Sequence, residues 1–388
     1  MNIDKINIYK ILLPFTINFS HSLKKGHFAT FANNIVVEVI AEQGELNGYG
    51  EGAPRLYVTG ESQDSVIESI SHFLQKDSFP WELNDVSQIW EFVDNLPNDK
   101  RYNTAICALE ASLLDVLGKS QHTSVIEYFP KDFLTKKVYY GAAIPLFNNR
   151  RRAEIYKLIT NLKIKKLRIK MGKNFEQNCD AVKAVKLIFG DDCDLRIDIN
   201  CAWDRKLALK HIQLIKEYKV NVVEQPMMPD NPDIAEFAGA IEDYGVTLMA
   251  DESACSLEEV ERIVKEGHYK MINVRLSKCG GFRNSLKIID YLREKNLSFQ
   301  IGCQLGESGL LSAAGRALSL LCGDAVYYDG SYDELLLKKN ITLENVSFGL
   351  GGEAGPLNGH GLGVKINMEN LMSLSNGSSS VTISNPLS

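Results

Sequence analysis

Lys166-Leu-Arg-Ile-Lys170, Leu195-Arg-Ile-Asp-Ile199, Val220-Asn-Val-Val-Glu224, Val246-Thr-Leu-Met-Ala-Asp251 and Met271-Ile-Asn-Val-Arg-Leu276 are five short apolar runs, and an amphipathic helical stretch follows each. Val138-Tyr-Tyr-Gly-Ala-Ala-Ile144 precedes them, and Ser298-Phe-Gln-Ile-Gly302 and Ala325-Val-Tyr-Tyr-Asp329 follow. Strands alternating with helices form a parallel sheet covered on its faces. Eight such units close a (β/α)8 barrel; an open doubly wound sheet is the competing arrangement. The reading is an α/β chain, a (β/α)8-type barrel over residues 131–335.

Outside that range the texture differs. Residues 1–130 read as an α+β capping domain. Its predicted strands span 6–15 and 35–41, glycine-rich turns are expected at Gly44 and at Gly48-Tyr-Gly-Glu-Gly52, and helical spacing covers 61–76 and 101–117. Loops are expected at Thr16–Thr30 and Ala53–Thr59. Residues 336–372 are expected to return to the cap through a final strand-like Val364-Lys-Ile, and the Ser- and Asn-rich residues 373–388 to fray.

Composition narrows the function classes. The 388 residues are 45% hydrophobic and 24% charged, with 43 basic and 49 acidic side chains for a net charge of −6. That is a globular composition without the basic excess of a nucleic-acid binder. No apolar stretch reaches the roughly 18–20 residues of a membrane span, and the N-terminus lacks a signal-peptide pattern, so a cytoplasmic protein is expected. Eight cysteines without a C-x-x-C pair are expected to be reduced thiols; Cys201, Cys255, Cys279 and Cys303, near strand ends, read as small half-buried filler.

Charge recurs at one end of the strands. Lys170, Asp198, Glu224, Asp251 and Lys278 follow one another at intervals of 26–28 residues, once per βα unit. The C-terminal strand ends of a barrel share one mouth, where barrel enzymes keep their sites. Any one of the acids alone is equally a helix cap or a loop residue. Three in consecutive units point to a hard divalent cation, Mg2+ best and Mn2+ next, because oxygen ligands without His or Cys suit those ions. Asn200 falls on the side of Asp198. Strands two and six stand opposite each other in a ring of eight, so Lys170 and Lys278 would flank a bound acid, as a two-base racemase requires. A free lysine, with a pKa of roughly 10.4, is a poor base; desolvation and neighbouring cations such as Arg168 and the metal lower that value.

These motifs, Arg168-Ile-Lys170, Asp198-Ile-Asn200, Glu224-Gln-Pro226, Asp251-Glu-Ser253 and Lys278-Cys-Gly-Gly281, resemble the enolase superfamily, and within it the muconate lactonizing enzyme subgroup of muconate cycloisomerases, dipeptide epimerases, o-succinylbenzoate synthases and N-acylamino acid racemases. The resemblance implies a barrel with an N-terminal cap, Mg2+ on Asp198, Glu224 and Asp251, and Lys170 and Lys278 as the acid/base pair. It implies an isomerase that abstracts the proton α to a carboxylate through a metal-stabilised enediolate: a racemase or epimerase of an amino-acid derivative or dipeptide, or a muconate-type cycloisomerase. The alternatives are an o-succinylbenzoate-type syn-dehydratase and a non-catalytic small-acid binder. None of the seven histidines lies at a barrel strand end, which argues against the His-dependent branch.

Two departures stand out. The family commonly has Lys-x-Lys where Arg168 opens the motif, and an arginine cannot serve as a base. Dipeptide epimerases carry Asp-x-Asp on strand eight, where this chain reads Tyr327-Tyr-Asp329, which weighs against an ammonium-bearing dipeptide. Gln304, Glu307, Tyr327 and Asp329, together with Phe19, His21, Phe28, Arg55 and Tyr57 from the loops, are the expected contacts of a small-molecule carboxylate substrate. A homo-oligomer is compatible with all of this.

Overall fold

The computed structural model describes residues 1–20, 28–145 and 149–386. Strands β1 (Ile3–Ser20), β2 (Phe28–Ala41) and β3 (Leu46–Gly52) form an antiparallel meander. After β4 (Val138–Tyr139) come the eight parallel strands β5 (Ala142–Ile144), β6 (Lys166–Lys170), β7 (Asp194–Asp198), β8 (Val222–Glu224), β9 (Thr247–Ala250), β10 (Met271–Arg275), β11 (Ser298–Gly302) and β12 (Tyr327–Tyr328). They neighbour one another in chain order. The Gly141 N–H donates to the Tyr328 carbonyl at 2.8 Å, which joins first strand to last and closes the barrel. No helix among the described residues is long and apolar enough to cross a membrane, and all eight cysteines are free.

The barrel strands are not uniformly apolar. In β6 and β7, Leu167, Ile169, Leu195 and Ile197 alternate with Arg168, Lys170, Arg196 and Asp198, and both sets are largely buried. One face of each strand packs on the helices and the other points into the barrel. The interior is therefore polar: Arg196, Asn273 and Gln300 have no exposed surface. Gly141 makes room for it, because a Cβ there would stand 2.8 Å from an Arg196 guanidinium nitrogen and 2.9 Å from Asp329 Oδ1.

Four sequence expectations are corrected. Gly48-Tyr-Gly-Glu-Gly52 is strand, not turn. Its three glycines share one face, and the helix Asn103–Ser120 lies so close that Cβ atoms on Gly48 and Gly50 would come within 2.5 Å of the Ser112 backbone, and one on Gly52 within 2.6 Å of Thr104 Cγ2. Much of Thr16–Thr30 is the continuation of β1 and the start of β2, a hairpin whose residues 21–27 lie outside the described residues. Val364-Lys-Ile makes only a single bridge, Ile366 to Thr342. The tail is not frayed throughout. Before β14 come β13 (Glu353–Ala354), which pairs with β4, and the helix Met368–Leu374; β14 (Val381–Ser384) then pairs antiparallel with β1 from Lys5↔Ser384 to Ile8↔Val381. Alternating Val381 and Ile383 give this strand one half-buried face despite its polar composition.

Cap and barrel are joined by two buried glutamates at helix N-termini, where free N–H groups and the helix dipole favour an acceptor. Glu51 accepts from the Ser308 and Leu311 N–H groups, each at 3.0 Å, at the start of Gly309–Leu321. Glu110 accepts from the N–H groups of Phe282 and Arg283 at the start of Gly281–Glu294. Burial pushes the Glu110 carboxyl up to about 8, although those N–H groups oppose the rise.

Gly50→Ala is expected to destabilise the protein by about 1–3 kcal/mol, an overpacking cost. Gly315→Ala, where a Cβ meets nothing within 4 Å, should be neutral or stabilising by up to about 1 kcal/mol. Urea unfolding compares the two. Because Glu110 binds its proton more tightly folded than unfolded, its contribution is complete below about pH 4.5 and declines as pH rises toward about 8. Glu110→Gln should flatten the pH dependence of the urea midpoint across that window.

Candidate functional site

The mouth is built from strand ends in register. Lys170 on β6 pairs with Asp198 on β7, and Asp198 with Glu224 on β8. Asp251 follows β9 directly, and Lys278 sits in the helical turn Leu276–Cys279 after β10. Five neighbouring units thus deliver five charged side chains to one rim, and Asp198, Glu224, Asp251 and Lys278 are all fully buried.

These groups touch in a continuous row. Lys170 Nζ lies 2.5 Å from Asp198 Oδ2 and 2.7 Å from Asn200 Oδ1. One Arg168 nitrogen bridges Asp198 Oδ2 at 2.8 Å and Glu224 Oε2 at 2.9 Å. One Arg275 nitrogen lies 3.5 Å from Glu224 Oε1 and hydrogen-bonds Asp251 Oδ2. At the far end Lys278 Nζ donates to Asp251 Oδ1 at 3.0 Å, to the Asp251 carbonyl at 2.8 Å and to the Asn273 carbonyl at 2.6 Å. Burial alone raises a carboxyl pKa; at Asp198 the adjacent Lys170 and Arg168 overcome it, so this carboxyl is held below its ordinary value. Among the described residues no three acidic, His or Cys side chains stand close enough to enclose an ion as they are now paired. The donor chemistry nonetheless fits a hard cation. Three buried carboxylates each bond a cationic side chain, and the guanidiniums draw Asp198 toward Glu224 and Glu224 toward Asp251.

The backbone supports the rim. Gln225 has φ +36, and its side-chain oxygen accepts the Asp251 and Ser253 N–H groups at 2.9 and 3.1 Å. Asn200 has φ +46, a region Asn tolerates better than most residues, and its Nδ2 donates to Glu252 Oε1 at 3.1 Å. Burial and the neighbouring Asp198 push Glu252 up to about 7. Asn273 donates to Glu224 Oε1 at 2.7 Å. Sequence reasoning missed Gln225, Asn273, Arg275 and Glu252. The available signal was the alternation of Asn273 and Arg275 with apolar residues in β10, which marks a polar face inside the barrel.

Above the row lies a cleft of about 350 Å³. Arg168, Lys170, Asn200 and Arg275 line it on the barrel side; Ile155, Leu158, Ile159 and Leu162, from the helix Asn149–Leu162, form an apolar wall with Ala142 and Ala143. Gln304, Glu307 and Tyr57 also line it, as expected contacts. Burial, aided by Glu51, pushes Glu307 up to about 8. The three acids and Lys278 lie beneath this lining.

Several expected contacts are elsewhere. Tyr327 hydrogen-bonds Asp194 at 3.0 Å, at the opposite end of β7 from Asp198, and its ring stacks under the Arg196 guanidinium. It faces the barrel floor because it sits one pleat below the rim. Asp329 does not line the cleft: Arg196 holds both of its oxygens, at 2.9 and 3.2 Å, and Arg168 Nε lies 3.0 Å away. Those guanidiniums outweigh burial and keep its carboxyl below the ordinary value. Arg55 does not line the cleft either; it donates to the carbonyls of Asn33, Pro54 and Leu305 and to Asn34 Oδ1, tying the cap to the loop after β11. Phe19 pairs with Ala29 in the hairpin, and His21 lies outside the described residues.

Comparison with known proteins adds three findings. The family model described as enolase C-terminal domain-like matches residues 150–370. A hydrophobic dipeptide epimerase from Enterococcus faecalis is 27% identical over 88% of this chain and 89% of its own length, and an N-succinyl-L-Arg/Lys racemase from Bacillus cereus is 25% identical over 81% and 83%. A crystal structure of a dipeptide epimerase from Enterococcus faecalis, complexed with Mg and the dipeptide L-Leu-L-Tyr, superposes with a TM-score of 0.80 at 25% identity, covering 94% of this chain and all of that one.

Proposed function

The chain belongs to the enolase C-terminal domain-like family, and from that premise we propose that it is a Mg2+-dependent racemase or epimerase acting at the carbon α to a carboxylate. The observation that carries the reading is the row Lys170–Asp198–Arg168–Glu224–Arg275–Asp251–Lys278, with an amine at each end and three carboxylates, bridged by two guanidiniums, between. In this reading Asp198, Glu224 and Asp251 hold the cation. Removing a proton α to a carboxylate places a second charge on the same group, and a bound divalent cation offsets that charge where it develops.

Lys170 takes or returns the proton on one face of the substrate and Lys278 on the other. Asn200 accepts from Lys170 and keeps its amine directed at the rim. The apolar helix wall excludes water from one side and receives an apolar side chain. With Asp329 engaged by two guanidiniums, the substrate reading favours an amino-acid derivative without a free ammonium, such as an N-acyl amino acid, over a dipeptide. One observation favours the dehydratase alternative: Lys170 lines the cleft, whereas Lys278 is fully buried, and syn-elimination needs only one base.

Incubation of N-acyl amino acid enantiomers in D2O with Mg2+ should give α-deuterium incorporation into both, and chelation should abolish it. Loss from only one enantiomer, or a new ultraviolet chromophore from a dehydratable acid, would replace the racemase with single-base chemistry. Lys170→Ala and Lys278→Ala should each lower racemisation by about 10²–10⁴-fold, the usual scale for a general acid or base. Arg275 and the cation share Asp251 and Glu224. Arg275→Ala should therefore melt lower than wild type in chelator and gain more from added Mg2+, as read by thermal denaturation.

A further inference from the structure

Lys278 is not part of the barrel wall. It lies in a single helical turn, Leu276–Cys279, that ends on Gly280 and Gly281 with φ of +82° and +85°. The direction of its amine depends on what holds this turn, and much of that hold comes from the cap. Asn103, at the start of the helix Asn103–Ser120, donates through Nδ2 to the Lys278 carbonyl at 2.5 Å and to the Cys255 carbonyl at 2.7 Å. One amide group thereby pins the lysine's own backbone to the loop that follows Asp251. Glu110 stands two helical turns further along the same face and accepts from Phe282 and Arg283, just beyond the glycine pair. Asn103 and Glu110 are 4% and 0% exposed. The glycines admit them: a Cβ on Gly280 would stand 2.9 Å from Asn103 Oδ1, and one on Gly281 would overlap the Glu110 carboxylate.

We infer that Asn103, seconded by Glu110, is a positioning residue for Lys278, so that the cap sets the angle of one of the two proton-transfer amines. Lys170 is placed differently: it ends a barrel strand, and its amine contacts Asp198 and Asn200, both on barrel elements. The cap's influence is therefore one-sided. The inference rests on the proposed role of Lys278 in proton transfer.

Two measurements on the full chain separate the inference from that role. The first is pulse acetylation with acetic anhydride, followed by mass spectrometry at each lysine. Asn103→Ala should raise labelling of Lys278 threefold or more and change Lys170 by less than twofold. Equal changes at both lysines, or none at Lys278, would overturn the positioning. The second is α-hydrogen exchange of N-acetyl-L-leucine and N-acetyl-D-leucine in D2O. Asn103→Ala should slow exchange tenfold or more for the enantiomer most affected by Lys278→Ala, and less than twofold for the other, with KM held within twofold. Slowing of both alike would reduce Asn103 to a structural role. Glu110→Gln, which keeps one acceptor oxygen, should give the same one-sided pattern more weakly and serves if Asn103→Ala folds poorly. If Lys278→Ala leaves both exchanges intact, or if wild type exchanges neither probe, the functional reading fails, and the labelling ratio still decides the positioning.

Discussion

Three buried carboxylates cannot stand side by side unless positive charge reaches each of them. Desolvating a charge costs several kcal/mol, and an uncompensated partner is worse than none. The chain meets this constraint with cations from strands on either side of the acids. Lys170 and Arg168 come from β6, Arg275 and Lys278 from β10 and its following turn, and the acids lie on or beside the three strands between. The alternation of charge along these strands, the polar barrel interior and the absence of a side chain at Gly141 all follow from it. So does the engagement of Asp329, which neutralises the Arg196 and Arg168 layer below the rim.

The second organising element is the helix Asn103–Ser120. From Thr104 to Val116 it rests on the glycine face of β3, and its N-terminal half also reaches the turn that carries Lys278 and the helix beyond it. The close approach to β3 lets one helix both build the cap's core and touch the barrel. Because its contacts with the barrel are buried hydrogen bonds to backbone groups, they constrain direction more tightly than an apolar interface of the same size would.

The barrel and the placement of five charged residues at adjacent strand ends were legible in the sequence. A βα unit has a characteristic length, and a charge recurring at that interval falls at the same end of every strand. What lies inside the barrel was not legible. Arg196 and Gln300 alternate with apolar residues as the outer face of a half-exposed strand would, and only closure of the sheet turns that face inward. Tyr327 and Asp329 are two residues apart and share a side, yet one pleat of height separates the floor from the layer under the rim. The glycines of β3 resemble a turn because their purpose, a helix packed more than fifty residues later in the chain, has no local trace. Arg55 looked like a substrate contact because it lies in one of the loops expected to supply them, but its partners are three backbone carbonyls and the Asn34 side chain, which no sequence pattern announces.

The pairing of β14 with β1 makes the order of synthesis matter. The outer strand of the antiparallel sheet is synthesised after every barrel unit, and more than 370 residues after the strand it pairs with. Until then β1 presents an open edge along Lys5–Ile8, a template for strand addition by another nascent chain. The late strand therefore covers that stretch and leaves as the edge there only its own four residues, Val381–Ser384.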